Sequence, residues 1–490
     1  MIDLTITEQP LQRAIQRAKE RGIIIPTLAQ MKDPELIPAS IKEGLKTIGL
    51  WDFEPLNLFR ISWKNRPLKQ GGLFGGVNYL EIPPEISGVR ARIIALVGKW
   101  FPTGAHKVGA TFGCLVPRLV TGQFDPTSQK AVWPSTGNFC RGGAYDSKLL
   151  ACESIAILPE GMSRERFEWL SQVTGEVIAT PGSESNVWEI FQKCKELQAT
   201  RQDIVIFDQF EEFGNHLWHY EVTGHAMEEV LQAELGTAGN YAGVALTSGS
   251  AGTLGCADYL KQVYPQSKLA VGEALQCPTL LMNGFGSHRI EGIGDKHVPW
   301  IHNVRNTDMV IAIDDEHCLK LIRLFNEPEG QEYLARQGVP AGFSAQLPLL
   351  GISSVANLLA AIKFAKYYRL GEQEIVLTVF TDSMELYRSR IEELRRSYGP
   401  LAPEQAAVAY NCALLGQTTD HLLELDYADR RRIHNLKYFT WVEQMGKAVE
   451  ELEEQWHDFP GYWERIHAQA GEIDRLIDEF NRRTGLLESV

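Results

Sequence analysis

A lysine that attacks a carbonyl carbon must first lose its proton, and burial or a neighbouring cation moves its pKa toward that state. Lys107 ends the run Pro102-Thr103-Gly104-Ala105-His106-Lys107 and opens a helical stretch among small residues, a setting that suits such an amine. Taken alone it reads as a solvated surface lysine, because lysine is almost never fully buried without a partner. Three further runs change that weighing. Ser135-Thr136-Gly137-Asn138 follows an apolar strand and opens a helix. There, hydroxyls and free N–H groups can hold a carboxylate or phosphate, or simply cap the helix. Ser248-Gly249-Ser250-Ala251-Gly252-Thr253 also joins a strand to a helix, and its small residues let backbone amides approach a phosphate. It is neither the G-x-G-x-x-G nor the G-x-x-x-x-G-K-[ST] nucleotide pattern, so a single phosphate is the better expectation. Thr381-Asp382-Ser383 ends the last apolar strand. In open α/β sheets ligands sit beyond the carboxyl ends of the strands, which is where all four runs fall.

The elements that must position these runs are legible between about residues 90 and 385. Short β-branched apolar runs alternate there with amphipathic stretches, the pattern of strands separated by crossover helices, so the class is α/β. The candidate strands are ARIIALVG, KAVWP, ESIAIL, EVIAT, DIVIF, YAGVALT, SKLAVG, DMVIAI and EIVLTVF. Several are apolar throughout, as parallel strands covered on both faces should be. Residues 1–85 read as an N-terminal extension packed on the core, with a helix at about 8–21 and loops at PLKQGGLFGG. Residues 388–490 read as a helical extension in which strands cease. Its segments EQMGKAVEELEEQWHDF and AGEIDRLIDEFNRR carry apolar residues three and four apart. The 490 residues exceed what one hydrophobic core holds, which agrees with several units.

Bulk properties exclude several classes. Hydrophobic residues make up 44% and charged residues 22%, and no apolar run approaches the roughly 20 residues of a membrane span. The start MIDLTITEQPLQRAIQRAKE lacks a secretory pattern, so a cytoplasmic location is expected. The eight cysteines form no C-x-x-C pair, which argues against disulfides or a zinc knuckle. A net charge of -14 disfavours nucleic acid or anionic membrane as a partner.

In order, the four runs resemble the signatures of the tryptophan synthase beta / cysteine synthase superfamily of pyridoxal-phosphate enzymes (fold type II), over about residues 90–387. TGAHK resembles the lysine motif of tryptophan synthase beta, including the histidine, His106, before the lysine. STGN is similar to the asparagine loop of cysteine synthase and cystathionine beta-synthase. QFEEFGNHLWHYEVTG resembles cysteine synthase's glutamine, asparagine, histidine and T-G landmarks. EGIGDKHVP resembles a cofactor-flanking stretch of cystathionine beta-synthase that includes Gly292, and TDSMELY is similar to P-D-S-G-E-R-Y.

The resemblance implies two open, twisted, mostly parallel sheets with helices on both faces. A catalytic core of residues 86–387 would hold a smaller subdomain at about 125–225. Pyridoxal 5'-phosphate would be held by Lys107 as a Schiff base, by His106, Asn138 and Gly292, and at its phosphate by residues 248–253. Ser135, Thr136, Gly137 and Gln209 would bind the substrate carboxylate. Ser383 would face the pyridine nitrogen, and a hydroxyl there leaves a weaker electron sink than a carboxylate, favouring β-elimination and β-replacement. If Asp382 faced that nitrogen instead, quinonoid-dependent chemistry would become plausible. Phe139 and Cys140 depart from the threonine and glycine usual after the asparagine. Asp295, Lys296 and His297 put charge near the mouth of the site, and the asparagine loop lacks tryptophan synthase's glutamate.

The implied reaction is β-elimination or β-replacement on a serine- or cysteine-like amino acid through an aminoacrylate. Threonine synthase or dehydratase chemistry is the alternative, and a partner-dependent subunit inactive alone is the reading of another class. A homodimer is expected from the same resemblance. His216, His219 and His225 do not form the H-E-x-x-H zinc pattern, so no catalytic metal is expected. Cys140 is read as a buried thiol rather than a nucleophile.

Overall fold

The computed structural model describes residues 1–135, 137–182, 187–237 and 239–487. Its strands are Tyr79–Ile82 (β1), Arg92–Val97 (β2), Lys130–Pro134 (β3), Glu153–Pro159 (β4), Glu176–Thr180 (β5), Ile204–Ile206 (β6), Asn240–Thr247 (β7), Lys268–Ala274 (β8), Met309–Ile313 (β9), Glu374–Phe380 (β10) and Leu422–Glu424 (β11). They form a seven-stranded sheet in the order β1-β2-β10-β7-β8-β9-β11 and a four-stranded sheet in the order β5-β4-β3-β6. Pairing is parallel except at the two edges of the large sheet, where β1 and β11 run antiparallel. The chain leaves the large sheet after β2, builds the small one, and returns at β7. Strands β2 and β7 to β10 are apolar and almost fully covered, because helices pack on both faces.

All nine strands expected from the sequence are present. The expectation that strands cease after about residue 388 is corrected by β11, and β1 adds a strand inside the N-terminal segment. Both are short edge strands with a single partner and a partly exposed burial pattern, so neither carries the continuous apolar run that marks interior strands.

Glu8–Arg21 is a helix, α1, with Leu11, Ala14, Ile15 and Ala18 buried at spacings of three and four. It stops where Gly22 turns left-handed at φ 65°. Lys107–Thr121 (α2) is buried over nearly its whole surface and opens at Lys107. Asn138–Leu149 (α3) follows β3, Phe213–Trp218 (α4) lies against α2, and Gly255–Val263 (α5) follows β7. Ile352–Tyr367 (α6) is buried all round between the large sheet and its neighbours, as a helix without a polar face must be. Gly461–His467 (α7) and Gln469–Thr484 (α8) end the described chain's helices. Of EQMGKAVEELEEQWHDF only Val449–His457 is α-helical. No single described helix is long and apolar enough to cross a membrane.

The two terminal segments form one buttress. Ile473, Leu476, Ile477 and Phe480 of α8 are buried where it meets α1 and α2. Asp474 accepts from the Leu28 and Ala29 amides at 2.6 and 3.0 Å, and Asn481 exchanges two hydrogen bonds with the Ile25 backbone. Helices α2 and α4 cross at Gly113 and Gly214, where a Cβ on either glycine would overlap the other's backbone. Gly113→Ala is therefore expected to force the helices apart and cost about 1–3 kcal/mol, read as a lower urea midpoint at unchanged slope; an unchanged midpoint would show that the crossing has room to spare.

Candidate active site

After β2 the chain turns through Thr103 (φ 68°) and Gly104 (φ 75°) into α2. That turn sets Lys107 at the first helical position, facing the end of β7. Its Nζ donates to Ser250 Oγ at 2.9 Å. Enclosure from water lowers the amine's pKa from the ordinary lysine range to about 8, so a substantial fraction is neutral near physiological pH. His106 lies behind it, with Nε2 3.2 Å from Thr381 Oγ1 and its ring against Trp63 and His219. Burial first, then the adjacent Lys107, holds His106 at about 3, which keeps it neutral and adds no second cation beside the amine.

The run Ser248–Thr253 wraps from β7 toward α5. Ala251 adopts the left-handed region at φ 65°, a strained conformation for a residue with a Cβ and of a kind that collects at functional turns. Gly252 has no room for a side chain because Asn215 packs on it. Asn215 Nδ2 donates to the Gln209 carbonyl at 3.0 Å and to Ser250 Oγ at 2.9 Å, which ties this loop to the glutamine turn. Across the cleft, a Cβ on Gly249 would come within 3.2 Å of the Gly292 carbonyl, and Gly292 itself sits at φ 99°.

On the small-sheet side, Gln209 Nε2 and the Gly137 amide both donate to Ser135 Oγ, at 3.2 and 3.3 Å. Asn138 Nδ2 donates to Asp382 Oδ2 at 2.6 Å, and Asn138 Oδ1 is buried without a hydrogen-bond partner among the described residues. The same Asp382 oxygen accepts from Tyr387 at 2.6 Å, and Tyr387 accepts from Arg166 at 2.8 Å. Arg166 in turn pairs with Glu291 at 2.8 Å, beside Gly292. Burial raises the Asp382 carboxyl above the usual carboxylate range.

One cavity collects Lys107, Ser135, Asn138, Gln209, Gly249, Ser250, Ala251, Thr253 and Gly292. His106, Gly137, Ser248, Gly252 and Ser383 do not line it, and Thr136 lies outside the described residues. The departures Phe139 and Asp295 line it. Thr381 lines it too, and the sequence reading passed over it in favour of Ser383 two positions on. Its only signal was its place at the end of β10. Cys140 is fully buried and burial pushes its thiol up to about 12, so it offers no thiolate.

Residues 101–382 match the family model described as pyridoxal-phosphate dependent enzyme. The chain belongs to this family. This pyridoxal-phosphate enzyme is 24% identical to Saccharomyces cerevisiae cystathionine beta-synthase over 318 residues, 63% of this chain but only 59% of that relative's length. It is 30% identical to a Staphylococcus aureus cysteine synthase over 320 residues, 65% of this chain and 94% of the other. Among solved structures it is similar to the O-acetylserine dependent cystathionine beta-synthase of Helicobacter pylori. The two share 27% identity with a TM-score of 0.53, over 64% of this chain and 95% of that one.

The donor set fits pyridoxal 5'-phosphate. A lysine with a lowered pKa faces a glycine-lined loop bearing two hydroxyls, and Asn138, whose amide nitrogen keeps a second proton beyond the one given to Asp382, lines the same cavity. Because the neutral amine is the nucleophile, cofactor uptake by apoprotein should accelerate as pH rises through about 8. Stopped-flow loss of free aldehyde absorbance checks this; acceleration only near the ordinary lysine value of about 10.4 would mean the amine is fully solvated.

Proposed function

We propose that this pyridoxal-phosphate enzyme catalyses β-elimination or β-replacement on a serine- or cysteine-like amino acid. The observation that carries this is the single cavity in which the Lys107 amine, a phosphate-sized loop and a carboxylate-binding set face one another. The bound cofactor supplies an electron sink for Cα, so that the α-proton can leave and the β-substituent can be expelled. Lys107 holds the cofactor and, once released, takes the proton from Cα and can return it. Residues 248–253, at the approach to α5, hold the phosphate with backbone N–H groups and the Ser250 and Thr253 hydroxyls.

Ser135 and Gln209, joined at 3.2 Å, receive the substrate carboxylate. Asn138, oriented by Asp382, would donate from its amide nitrogen to the bound cofactor's 3'-oxygen. Because the Asp382 carboxylate is turned to Asn138 and Tyr387, the end of β10 offers the ring nitrogen a hydroxyl, from Thr381 on the cavity wall or Ser383 two positions on. A neutral partner makes a weaker electron sink, which supports chemistry at Cβ. Phe139 adds an apolar ring to the wall of the same cavity. A homodimer, inferred from the family resemblance, and a cytoplasmic location are part of the proposal; light scattering on the purified protein measures the assembly.

The test is an absorption spectrum of the protein and of Lys107→Ala, with and without L-serine, L-cysteine and O-acetyl-L-serine. The native protein should show a visible cofactor band that the variant lacks, and one amino acid should shift it with release of its β-substituent. A band that no such amino acid moves would sink the reaction assignment. Gln209→Ala should raise KM for the amino acid at least tenfold, from loss of a hydrogen bond to a charged group worth about 1.5–3 kcal/mol, while leaving the cofactor band in place. An unchanged KM would remove Gln209 from the carboxylate site.

A further inference from the structure

Outside the cavity, the C-terminal extension contributes to a buried cluster that the reaction does not use. His216 of α4, Asp258 of α5 and His467 of α7 each offer a ligand atom, and these atoms lie within 4.8 Å of one another. The imidazole rings are nearly parallel, at 8°, with Nε2 facing Nε2 at 3.0 Å. Asp258 Oδ2 is 3.6 Å from His216 Nε2. The three residues are only 0%, 4% and 9% exposed.

We propose that His216, Asp258 and His467 bind a divalent transition-metal cation, zinc by the character of the ligands, which clamps the C-terminal extension to the catalytic core. A tetrahedral zinc with bonds of about 2.0–2.1 Å sets its ligand atoms about 3.3 Å apart, and the two measured edges bracket that spacing. Asp258 is oriented by the side-chain amides of Asn303 and Asn306, at 2.8 and 2.6 Å, in the manner of the outer contacts that steady a ligating carboxylate.

The charge balance points the same way. Of the nearby cations, Lys261 is committed to Asp308 at 2.6 Å and to the Asn306 carbonyl at 2.7 Å, and the buried Lys437 donates to the Trp300 and His302 carbonyls and to Gln455 Oε1. Asp258 is thus a buried carboxylate whose described hydrogen-bond donors are neutral amides, an arrangement that costs free energy unless a cation compensates it. Two neutral histidines sharing a proton would satisfy each other but leave that charge uncompensated. The Tyr220 ring is stacked on His467 at 3.7 Å and closes one side, and three protein ligands leave a fourth position for water.

The clamp would act on the proposed cofactor site through short links. His216 follows Asn215, whose side chain joins Gln209 to Ser250, and α4 rests on α2 at the Gly113–Gly214 crossing. The ligands are far apart in the chain, which is why histidine spacing alone gave no sign of them.

The experiment is elemental analysis of the purified holoenzyme after exposure to zinc and removal of excess metal, for the native protein, His467→Gln and Asp258→Asn. About one zinc per chain is expected for the native protein and less than about a tenth of that for the variants, with the visible cofactor band retained in all three. Equal zinc in native protein and variants, or none in the native protein, would overturn the proposal. Should the variants fail to fold, cobalt added to native protein decides: the visible bands of a four-coordinate cobalt site support the proposal, and their absence refutes it.

Discussion

Lys107 can serve as a nucleophile only if its amine is kept from bulk water without being paired to a carboxylate, which would restore its proton. The protein meets both conditions by burying the amine against a neutral hydroxyl, Ser250 Oγ. Burial lowers its pKa to about 8, and the neutral His106 beside it adds no competing charge. Much of the rest can be understood as holding that amine in place. The left-handed turn at Thr103 and Gly104 delivers it, the glycine crossing of α2 and α4 lets the helices approach, and Asn215 fixes Ser250.

A second constraint is the distribution of buried charge behind the cavity. Asp382, Tyr387, Arg166 and Glu291 form a hydrogen-bonded chain from the end of β10 to the loop carrying Gly292, and Asn138 hangs from its first member. Such a network is stable only when its members are mutually satisfied, since an unpaired buried charge is costly. It joins the large sheet to the asparagine loop of the small one. The position of Asn138 is thereby tied to the strand end that, in the proposed reading, meets the pyridine ring.

The terminal segments, about two fifths of the chain outside the family match at residues 101–382, add to this frame rather than standing apart from it. Asp474 and Asn481 of α8 hold the backbone at residues 25–29, and α8 lies along α1 and α2. Ring contacts of Phe213 with Tyr462 and Trp463 seat α7 on α4. The helix that opens at Lys107 is thereby packed by core and extensions together.

The amino-acid sequence by itself determined the interior strands, α1 and the order of the motifs, because apolar runs, helical periodicity and turn residues are local signals set by backbone geometry and solvent. The runs at Lys107, Asn138 and residues 248–253 were legible as strand-to-helix turns for that reason and as site candidates through their order and family resemblance, and Lys107, Asn138 and Ser250 do share one cavity. Tertiary structure alone decided what each side chain faces. It put Thr381 rather than Ser383 on the cavity wall, turned Asp382 toward Asn138, paired β1 and β11 at the sheet edges, and brought His467 against His216 and Asp258. These outcomes depend on how distant helices and strands cross and on which buried charges must be satisfied. Neither leaves a periodic mark on the residues concerned.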